Sequence, residues 1–200
     1  MDKRRKLPTG VRKKQLLNAA RKVLNQKGYS LARISDIVKE AGVSQGTFYL
    51  YFSGKEDVVI ELGRELIGKA MHEINATCDP ENEAMEVTLK GVISAYYSTC
   101  LQYEDVIISA DAGGSSGLNQ LKWNEIYDPL NKYSTRLISI WRARGDIDAG
   151  VDDVLASWLL IDTINGSMTR LLGRSGSRVS QDYENQVVAW TLAALKGYRP

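Results

Sequence analysis

The segment from Ile34 to Phe52 constrains the fold more strongly than any other part of this chain of 200 residues. Its first half carries apolar residues at the spacing of one buried helical face, namely Ile34, Ile37, Val38 and Ala41. Gly42 follows at once and can take a left-handed conformation without a Cβ penalty. Ser44 can cap the next helix, because its hydroxyl can accept from a free backbone N–H. The pattern predicts a helix, a glycine turn and a second short helix, which is the arrangement of a helix-turn-helix.

The second helix of this pattern is short and aromatic. Phe48 and Phe52 are spaced so that they can share the inward face of a helix. The side chains left for its flanks and outer surface are Gln45, Thr47, Tyr49, Leu50 and Tyr51. A helix of this length is not stable alone, so neighbouring helices must hold it in place. We therefore expect it to be the exposed recognition helix of a DNA-binding domain.

Charge is distributed unevenly along the chain. Residues 1–55 hold 13 Lys and Arg against 3 Asp and Glu, a net charge of +10, and begin with a basic arm at residues 1–8. Residues 56–200 hold 13 Lys and Arg against 21 Asp and Glu, a net charge of −8. A basic quarter attached to an acidic remainder predicts an electrostatic footprint for the phosphates of nucleic acid. A solvated basic face without a partner is the alternative that charge alone leaves open.

The composition disfavours membrane, secreted, metal-binding and catalytic classes of protein. No apolar run reaches the roughly 18 residues of a membrane span, and the N-terminus lacks the apolar segment of a signal peptide. Cys78 and Cys100 match no zinc or redox spacing, and His72, the single histidine, has no obvious nucleophile to serve. We expect a cytoplasmic protein with reduced thiols, no metal and no cofactor, and we expect it not to be an enzyme.

Helical periodicity and scarce proline predict an all-α protein of about nine helices in two domains, residues 1–54 and 55–200. The first helix is predicted at Thr9–Lys27, ended by Gly28. Beyond the helix-turn-helix, the predicted helices are Lys55–Thr77, Glu81–Gln102, Glu104–Ala112, Leu118–Arg144, Asp152–Arg174 and Ser180–Lys196. A capping box formed by Ser53 and Glu56 is predicted to open the first of these, and Pro129 should kink or divide the fourth.

The helix-turn-helix and its flanks resemble the TetR (tetracycline-repressor-like) family of bacterial regulators. The matching positions are Gly28 and Tyr29, Ile37, residues 41–52, and Ser53-Gly-Lys-Glu56. The resemblance implies an N-terminal three-helix DNA-binding domain and a C-terminal helical domain for ligand binding and dimerisation. It also implies a homodimeric repressor that binds double-stranded DNA at a palindromic operator, without a membrane partner. A small-molecule effector of unknown identity would release the DNA.

The resemblance also implies a set of DNA-binding residues around the second helix of the motif. Together with the flanking Arg33, they are Ser44, Gln45, Gly46, Thr47, Tyr49, Leu50, Tyr51 and Lys55. Gln45 is expected to read bases because its amide can pair with adenine, whereas Lys55 and the hydroxyl-bearing residues suit phosphate or sugar. Many members have a threonine cap at the position of Arg33. Ser30 or Ser35 could replace that cap here, or Arg33 could itself reach a phosphate.

The C-terminal domain offers two further sets of candidate residues. Side chains that could line an effector cavity are Tyr96, Tyr97, Tyr103, Trp123, Tyr127, Trp158, Asp162 and Asn165. The last two helices are apolar on more than one side, so each of these sides must pack against other apolar surface, which a second copy of the chain could supply. Residues expected at a dimer interface are Trp158, Ile161, Met168, Val187, Trp190 and Ala194. The alternative for the effector residues is that they are plain core. The alternative for the interface residues is that the protein is a monomer whose core includes both helices. For the whole chain, an architectural DNA-binding protein without effector, or an enzyme, stays open.

Overall fold

A computed structural model describes residues 9–112, 117–173 and 179–197 of the chain; the predicted basic arm at residues 1–8 lies outside them. In these ranges the chain forms nine α-helices and no strand, which confirms the predicted all-α fold. The helices are α1 (Thr9–Leu31), α2 (Ile34–Ala41), α3 (Gln45–Tyr49), α4 (Lys55–Thr77), α5 (Met85–Gln102), α6 (Glu104–Ala112), α7 (Gly117–Arg144), α8 (Asp153–Leu172) and α9 (Gln181–Gly197). Among the residues described, none of these helices is both long enough and apolar enough to cross a membrane.

The described residues group into two compact units. The first unit holds residues up to Gly63 together with those of Asp105–Asn119, and the second holds Arg64–Glu104 with the residues from Gln120 onward. The chain therefore leaves the second unit at α6 and returns to it within α7. These units are defined by packing, so the functional division into residues 1–54 and 55–200 stays a prediction.

The end of α1 follows from a glycine. Helix α1 extends to Leu31, but its backbone leaves the helical conformation at Gly28, with φ 69° and ψ 167°. That left-handed φ is accessible to glycine and strained for other residues. The prediction that Gly28 ends the regular helix is therefore confirmed. The buried apolar residues of α1 are Leu16, Leu17, Ala19, Ala20, Val23 and Leu24.

The start of α4 differs from the predicted capping box. The backbone N–H of Ser53 donates to Asp57 Oδ2 at 2.9 Å, and the Ser53 hydroxyl donates to the same oxygen. Glu56 is exposed. The predicted role of Glu56 is therefore wrong, because α4 begins at Lys55 and the carboxylate one residue further along is the one that reaches back to Ser53.

The start of α5 was also predicted wrongly, since the helix begins at Met85 and not at Glu81. The residues before it form a turn in which the backbone N–H of Asp79 donates to Glu83 Oε2 at 3.1 Å. Arg144, at the end of α7, donates to the carbonyl oxygen of Glu83 at 2.8 Å. Side chains thus take the backbone groups that an earlier helix would have used.

Helices α5, α8 and α9 contact one another in the second unit. Their fully or almost fully buried residues include Leu89, Ile93, Tyr97, Leu160, Ile164, Met168 and Val188. Helix α7 runs through Pro129 without being divided. It contributes Ile138 and Trp141, both with no exposed surface, to the core. The predicted end of α8 at Arg174 lies outside the described residues, and the helix is described to Leu172.

Candidate nucleic-acid interface and effector site

The corner between α2 and α3 is closed by the residues that the sequence pattern singled out. Gly42 ends α2 in the left-handed conformation, with φ 64° and ψ 35°, and its N–H donates to the carbonyl oxygen of Lys39 at 3.2 Å. Ser44 caps α3, because its hydroxyl oxygen accepts from the backbone N–H of Thr47 at 3.2 Å. The Ser44 and Thr47 hydroxyl oxygens lie 2.9 Å apart and share a further hydrogen bond. The first turn of α3 is therefore fixed before any DNA is present.

Helix α3 buries one side and presents the other to solvent. Phe48 has no exposed surface and Phe52 is 4% exposed, and their ring centroids are 5.5 Å apart. Gln45 is exposed, Tyr49 is 55% exposed and Leu50 is 80% exposed. Of the remaining predicted DNA-binding residues, Arg33, Ser44 and Gly46 are exposed, and Thr47, Tyr51 and Lys55 are half-buried. The exposed side chains of Tyr49 and Leu50 thus stand beside polar groups suited to base edges.

Three polar contacts brace α3 indirectly by fixing α1 against α2 and α4. Gln15 Nε2 donates to the carbonyl oxygen of Ala41 at 2.7 Å. Lys13 Nζ lies 2.6 Å from Glu61 Oε1. Lys22 Nζ lies 2.9 Å from Glu40 Oε1. Because Ala41 precedes the turn glycine directly, its contact with Gln15 holds the corner from the α1 side.

The N-terminus of α2 is capped by neither of the two serines considered above. Arg33 occupies the cap position, its side chain makes no capping bond, and its backbone N–H donates to Asp36 Oδ2 at 3.1 Å. Asp36 also pairs with Lys27 at 2.8 Å. The hydrogen bond from Lys27, followed by the one from the Arg33 backbone, lowers the pKa of the Asp36 carboxyl. Arg33 is exposed, and its guanidinium does not cap α2.

Lys55 has partners in the protein that the sequence pattern did not indicate. Its ammonium group donates to the carbonyl oxygen of Tyr29 and, at 2.9 Å, to that of Ala32. The same nitrogen lies 4.1 Å from the centroid of the Tyr29 ring, a cation–π contact. Partial burial lowers the pKa of Lys55. The structure therefore shows Lys55 joining the end of α1 to the start of α4, and its predicted contact with phosphate stays a prediction.

In the second unit, the structure brings three of the predicted effector residues together. The hydroxyls of Tyr96 and Tyr127 both donate to Asn165 Oδ1, at 2.8 and 3.2 Å. Burial raises the pKa of Tyr127 to about 12, and it also raises the pKa of Tyr96. The neighbouring Cys100 thiol, which has no exposed surface, has its pKa raised to about 12 for the same reason. The amide oxygen of Asn165 thus accepts hydrogen bonds from both tyrosine hydroxyls in a largely apolar setting.

A second set of hydrogen bonds lies two residues further along α8. The Tyr97 hydroxyl lies 2.6 Å from Ser167 Oγ, and the Tyr183 hydroxyl donates to the carbonyl oxygen of Ser167 at 2.8 Å. Burial raises the pKa of Tyr97 to about 12. Ser167 and Tyr183 were missed by sequence reasoning, because no local signal pairs residues this far apart. We call the set Tyr96, Tyr97, Tyr127, Asn165, Ser167 and Tyr183 the tyrosine cluster.

The other predicted effector residues lie outside the tyrosine cluster. Trp158 is 55% exposed and Asp162 is exposed, so neither lines an enclosed cavity within the protomer. Both are exposed on α8, whereas Asn165 and Ser167 of the same helix make hydrogen bonds with tyrosines of α5. Tyr103 follows α5 and Trp123 lies in α7, and both are half-buried.

Helices α8 and α9 present an apolar surface, which we call the α8–α9 face. Its exposed residues are Leu155 (45%), Trp158 (55%), Leu159 (57%) and Trp190 (63%). A groove of about 200 Å³ runs along it, lined in part by Leu155, Leu159, Trp190 and Ala194. Of the other predicted interface residues, Ile161 and Val187 are half-buried. Met168 is 1% exposed and belongs to the protomer's own core, so it is not available to a second copy.

Part of the first unit matches a known protein family, and most of the chain is similar to a known regulator. Residues 16–62 match the family described as bacterial regulatory proteins, tetR family. The HTH-type transcriptional regulator YvdT of Bacillus subtilis is 27% identical over 162 residues, covering 81% of this chain and 83% of that protein.

Two solved structures resemble almost the whole chain. The fatty acid degradation regulator FadR from Bacillus halodurans has a TM-score of 0.80 and 26% identity, covering 95% of this chain and 99% of that one. The transcriptional regulator FadR from Bacillus subtilis, solved in complex with stearoyl-CoA, has a TM-score of 0.77 and 27% identity, covering 93% and 99%. The likeness therefore extends through both units.

Proposed function

We propose that this chain, which belongs to the TetR family of bacterial transcriptional regulators, is a cytoplasmic repressor released from its operator by a fatty acyl thioester. One observation carries the DNA-binding part of the proposal. Helix α3 is held by the buried rings of Phe48 and Phe52 while Gln45, Tyr49 and Leu50 remain exposed. An element held this way can enter a major groove without rearranging.

The proposed contacts divide into base reading and backbone binding. Gln45 is next to the α3 cap and exposed, so its amide can make a two-pronged contact with adenine. Leu50, the most exposed apolar residue of the corner, suits a thymine methyl group. Arg33 and the hydroxyls of Thr47, Tyr49 and Tyr51 suit phosphate and sugar, which fix position but not sequence. The net charge of +10 on residues 1–55 supplies the attraction that does not depend on sequence.

The proposed operator is palindromic because we propose a two-fold dimer. The α8–α9 face exposes two tryptophans and two leucines beside an apolar groove, and such a patch is usually covered. A second copy presents the same patch, so a two-fold axis brings groove and tryptophans into mutual contact. Two copies of α3 then read half-sites separated by about one helical turn of DNA, or a small multiple.

The proposed effector is a long-chain acyl-CoA. Two considerations support it: the likeness to FadR in complex with stearoyl-CoA, and the chemistry of the tyrosine cluster. The hydroxyls of Tyr96 and Tyr127 are donors that now share one amide oxygen, Asn165 Oδ1, and a thioester carbonyl could accept from either. The apolar core of α5, α7 and α8 around them suits an acyl chain.

The test begins with the protein selecting duplexes from a random-sequence pool, followed by affinity measurements on the selected duplex and on a scrambled one. We expect palindromic selected sequences, a steep loss of affinity with salt, and release by stearoyl-CoA. Free CoA and stearate serve as controls for the two halves of the effector. Equal affinity for both duplexes would refute operator binding. Release by free CoA as well as by stearoyl-CoA would refute recognition of the acyl group.

A further inference from the structure

The outward side of α8 carries two opposite charges placed symmetrically about a glycine. Asp162 lies four residues before Gly166 and Arg170 lies four residues after it, about 6 Å along the helix axis in each direction. Residues four apart share one side of a helix, so the three form one row, which we call the α8 row. Each of them follows by two positions, and therefore lies roughly opposite, a buried residue of the same helix, namely Leu160, Ile164 or Met168.

Both charges of the α8 row are available to another molecule. Asp162 and Arg170 are exposed, and neither side chain forms an ion pair or a hydrogen bond with another residue that the structure describes. Asp162 also belongs to the α8–α9 face, because it follows Trp158 by four residues and Leu159 by three, and both are more than half exposed. When a second copy covers that face, the Asp162 carboxylate loses water, which is destabilising unless a cation pairs with it. The proposed dimer therefore needs a cation opposite Asp162.

Gly166, at the centre of the row, is not required by the packing of its own protomer. A Cβ added there would meet no neighbouring atom within 4 Å, and the backbone is not in the left-handed region that favours glycine. Inside a helix glycine is also less favourable than alanine. The distance between two packed helices depends on the side chains at their contact, so a glycine lets a second helix approach closely. A helix of the second copy that crosses α8 at Gly166 accounts for this residue.

We propose that the two copies of α8 cross antiparallel at Gly166, so that Asp162 of each copy pairs with Arg170 of the other. The inference rests on the proposed function and specifies the contacts of its two-fold dimer. A two-fold axis at Gly166 brings the residue four positions before it on one copy opposite the residue four positions after it on the other. The dimer then holds two equivalent ion pairs. A parallel crossing at the same point would oppose like charges at both positions, which is unfavourable.

The α8 row also determines which chains can serve as the partner. A chain that lacks one of the two charges leaves the opposite charge of its partner unpaired in the interface, and a chain that reverses one charge places like charges together. The order of acid, glycine and base along α8 is therefore complementary to itself. The α8–α9 face accepts a second copy of this chain in preference to a related regulator with another order of charges.

Charge reversal tests the pairing without DNA or effector. Asp162→Arg gives a chain with arginine at both positions, and Arg170→Asp gives one with aspartate at both, so each variant opposes like charges in its own dimer. We expect each substitution to raise the dimer dissociation constant by about 100-fold or more. An equimolar mixture of the two variants should dimerise about as tightly as the wild type, because every pair in the mixed dimer joins an arginine to an aspartate. Energy transfer between chains labelled with donor and acceptor dyes measures each constant on dilution.

Two further substitutions complete the design. Glu86→Arg and Lys90→Asp make the same changes of net charge at exposed positions of α5, outside the α8–α9 face, and should leave the dissociation constant unchanged. Gly166→Leu tests the crossing point and should weaken the dimer by about tenfold or more, because the added side chain separates the helices. Its protomer should stay folded by circular dichroism, since the space around Gly166 within the protomer is open.

Three results would overturn the inference while the dimer itself stands. One is an unchanged dissociation constant in Asp162→Arg and Arg170→Asp. The second is a pair of weakened variants that do not dimerise when mixed, because their losses would then not come from mutual pairing. The third is a Gly166→Leu dimer as tight as the wild type, which contradicts the crossing point. A wild-type chain that stays monomeric contradicts the two-fold dimer of the proposed function and overturns the inference with it.

Discussion

The DNA-binding corner and the tyrosine cluster are built from interactions of very different range along the chain. In the corner, Ser44 bonds Thr47 three residues away, and Gly42 bonds Lys39. In the cluster, Tyr96 bonds Asn165 across 69 residues, and Tyr97 bonds Ser167 across 70. A local set of bonds forms with its own helices, whereas a distant set depends on the whole bundle. The corner is therefore suited to remain constant, and the cluster to respond to what enters the bundle.

The largest effect should come from removing the ring that holds α3. Phe48→Ala deletes a side chain with no exposed surface, and such a change costs about 3–5 kcal/mol of unfolding free energy. Specific DNA binding should be lost with it, while the tyrosine cluster keeps its hydrogen bonds. Denaturant unfolding and operator affinity check this. Tyr49→Ala, on the adjacent exposed position, should change stability by only about 0.5 kcal/mol or less. Equal losses of unfolding free energy in Phe48→Ala and Tyr49→Ala would mean that α3 is not held as described.

The second effect concerns Tyr127 of the tyrosine cluster and appears at alkaline pH. Burial raises the pKa of Tyr127 from 10.0 to about 12, so the folded protein retains a proton that the unfolded chain releases. The contribution of Tyr127 to stability is therefore complete below pH 10 and is lost as pH rises from 10.0 to about 12. For this one half-buried tyrosine the loss is at most on the order of 2–3 kcal/mol across that interval. Unfolding free energies measured at several pH values test this expectation.

Tyr127→Phe is the matched variant for that measurement. It removes one titrating group and one donor to Asn165, so it should cost about 1 kcal/mol at neutral pH and flatten the alkaline decline. The DNA affinity in the absence of effector should not change. An alkaline decline as steep as that of the wild-type protein would show that Tyr127 does not titrate as its burial requires.

The same difference in range explains what the sequence could predict. The turn glycine, the Ser44 cap and the inward Phe48 follow from rules that act within one or two turns, and the structure has each of them. The start of α5 could not be predicted this way, because Arg144 holds the preceding turn from 61 residues away. The aromatic residues of the second unit were recognisable as candidates. Which of them would meet Asn165, and that Trp158 would lie outside, depends on how the helices pack.

Lys55 sharpens the comparison, because it lies in the corner and yet has distant partners. Its bonds to the carbonyl oxygens of Tyr29 and Ala32 span 26 and 23 residues. Lys55→Ala should therefore lower the unfolding free energy by about 1–2 kcal/mol and weaken binding to every DNA sequence alike. The slope of log affinity against log salt separates two reasons for that weakening. A slope reduced by about 1 indicates a direct phosphate contact, and an unchanged slope indicates that Lys55 acts by joining α1 to α4.

Gln45→Ala should have the smallest effect on stability and the most selective effect on function. Gln45 is exposed, so unfolding free energy should change by about 0.5 kcal/mol or less. Its amide is the group proposed to read adenine, and losing such a contact costs about 1–3 kcal/mol of discrimination against the wrong base. Affinity for the selected duplex should fall toward that for the scrambled one, which should not change. Gln26→Ala, an exposed glutamine on α1, is the control and should leave both affinities as they are. If Gln45→Ala weakened both duplexes equally, another residue of the corner would have to supply the sequence preference, and exposed Tyr49 and Leu50 would be tested next.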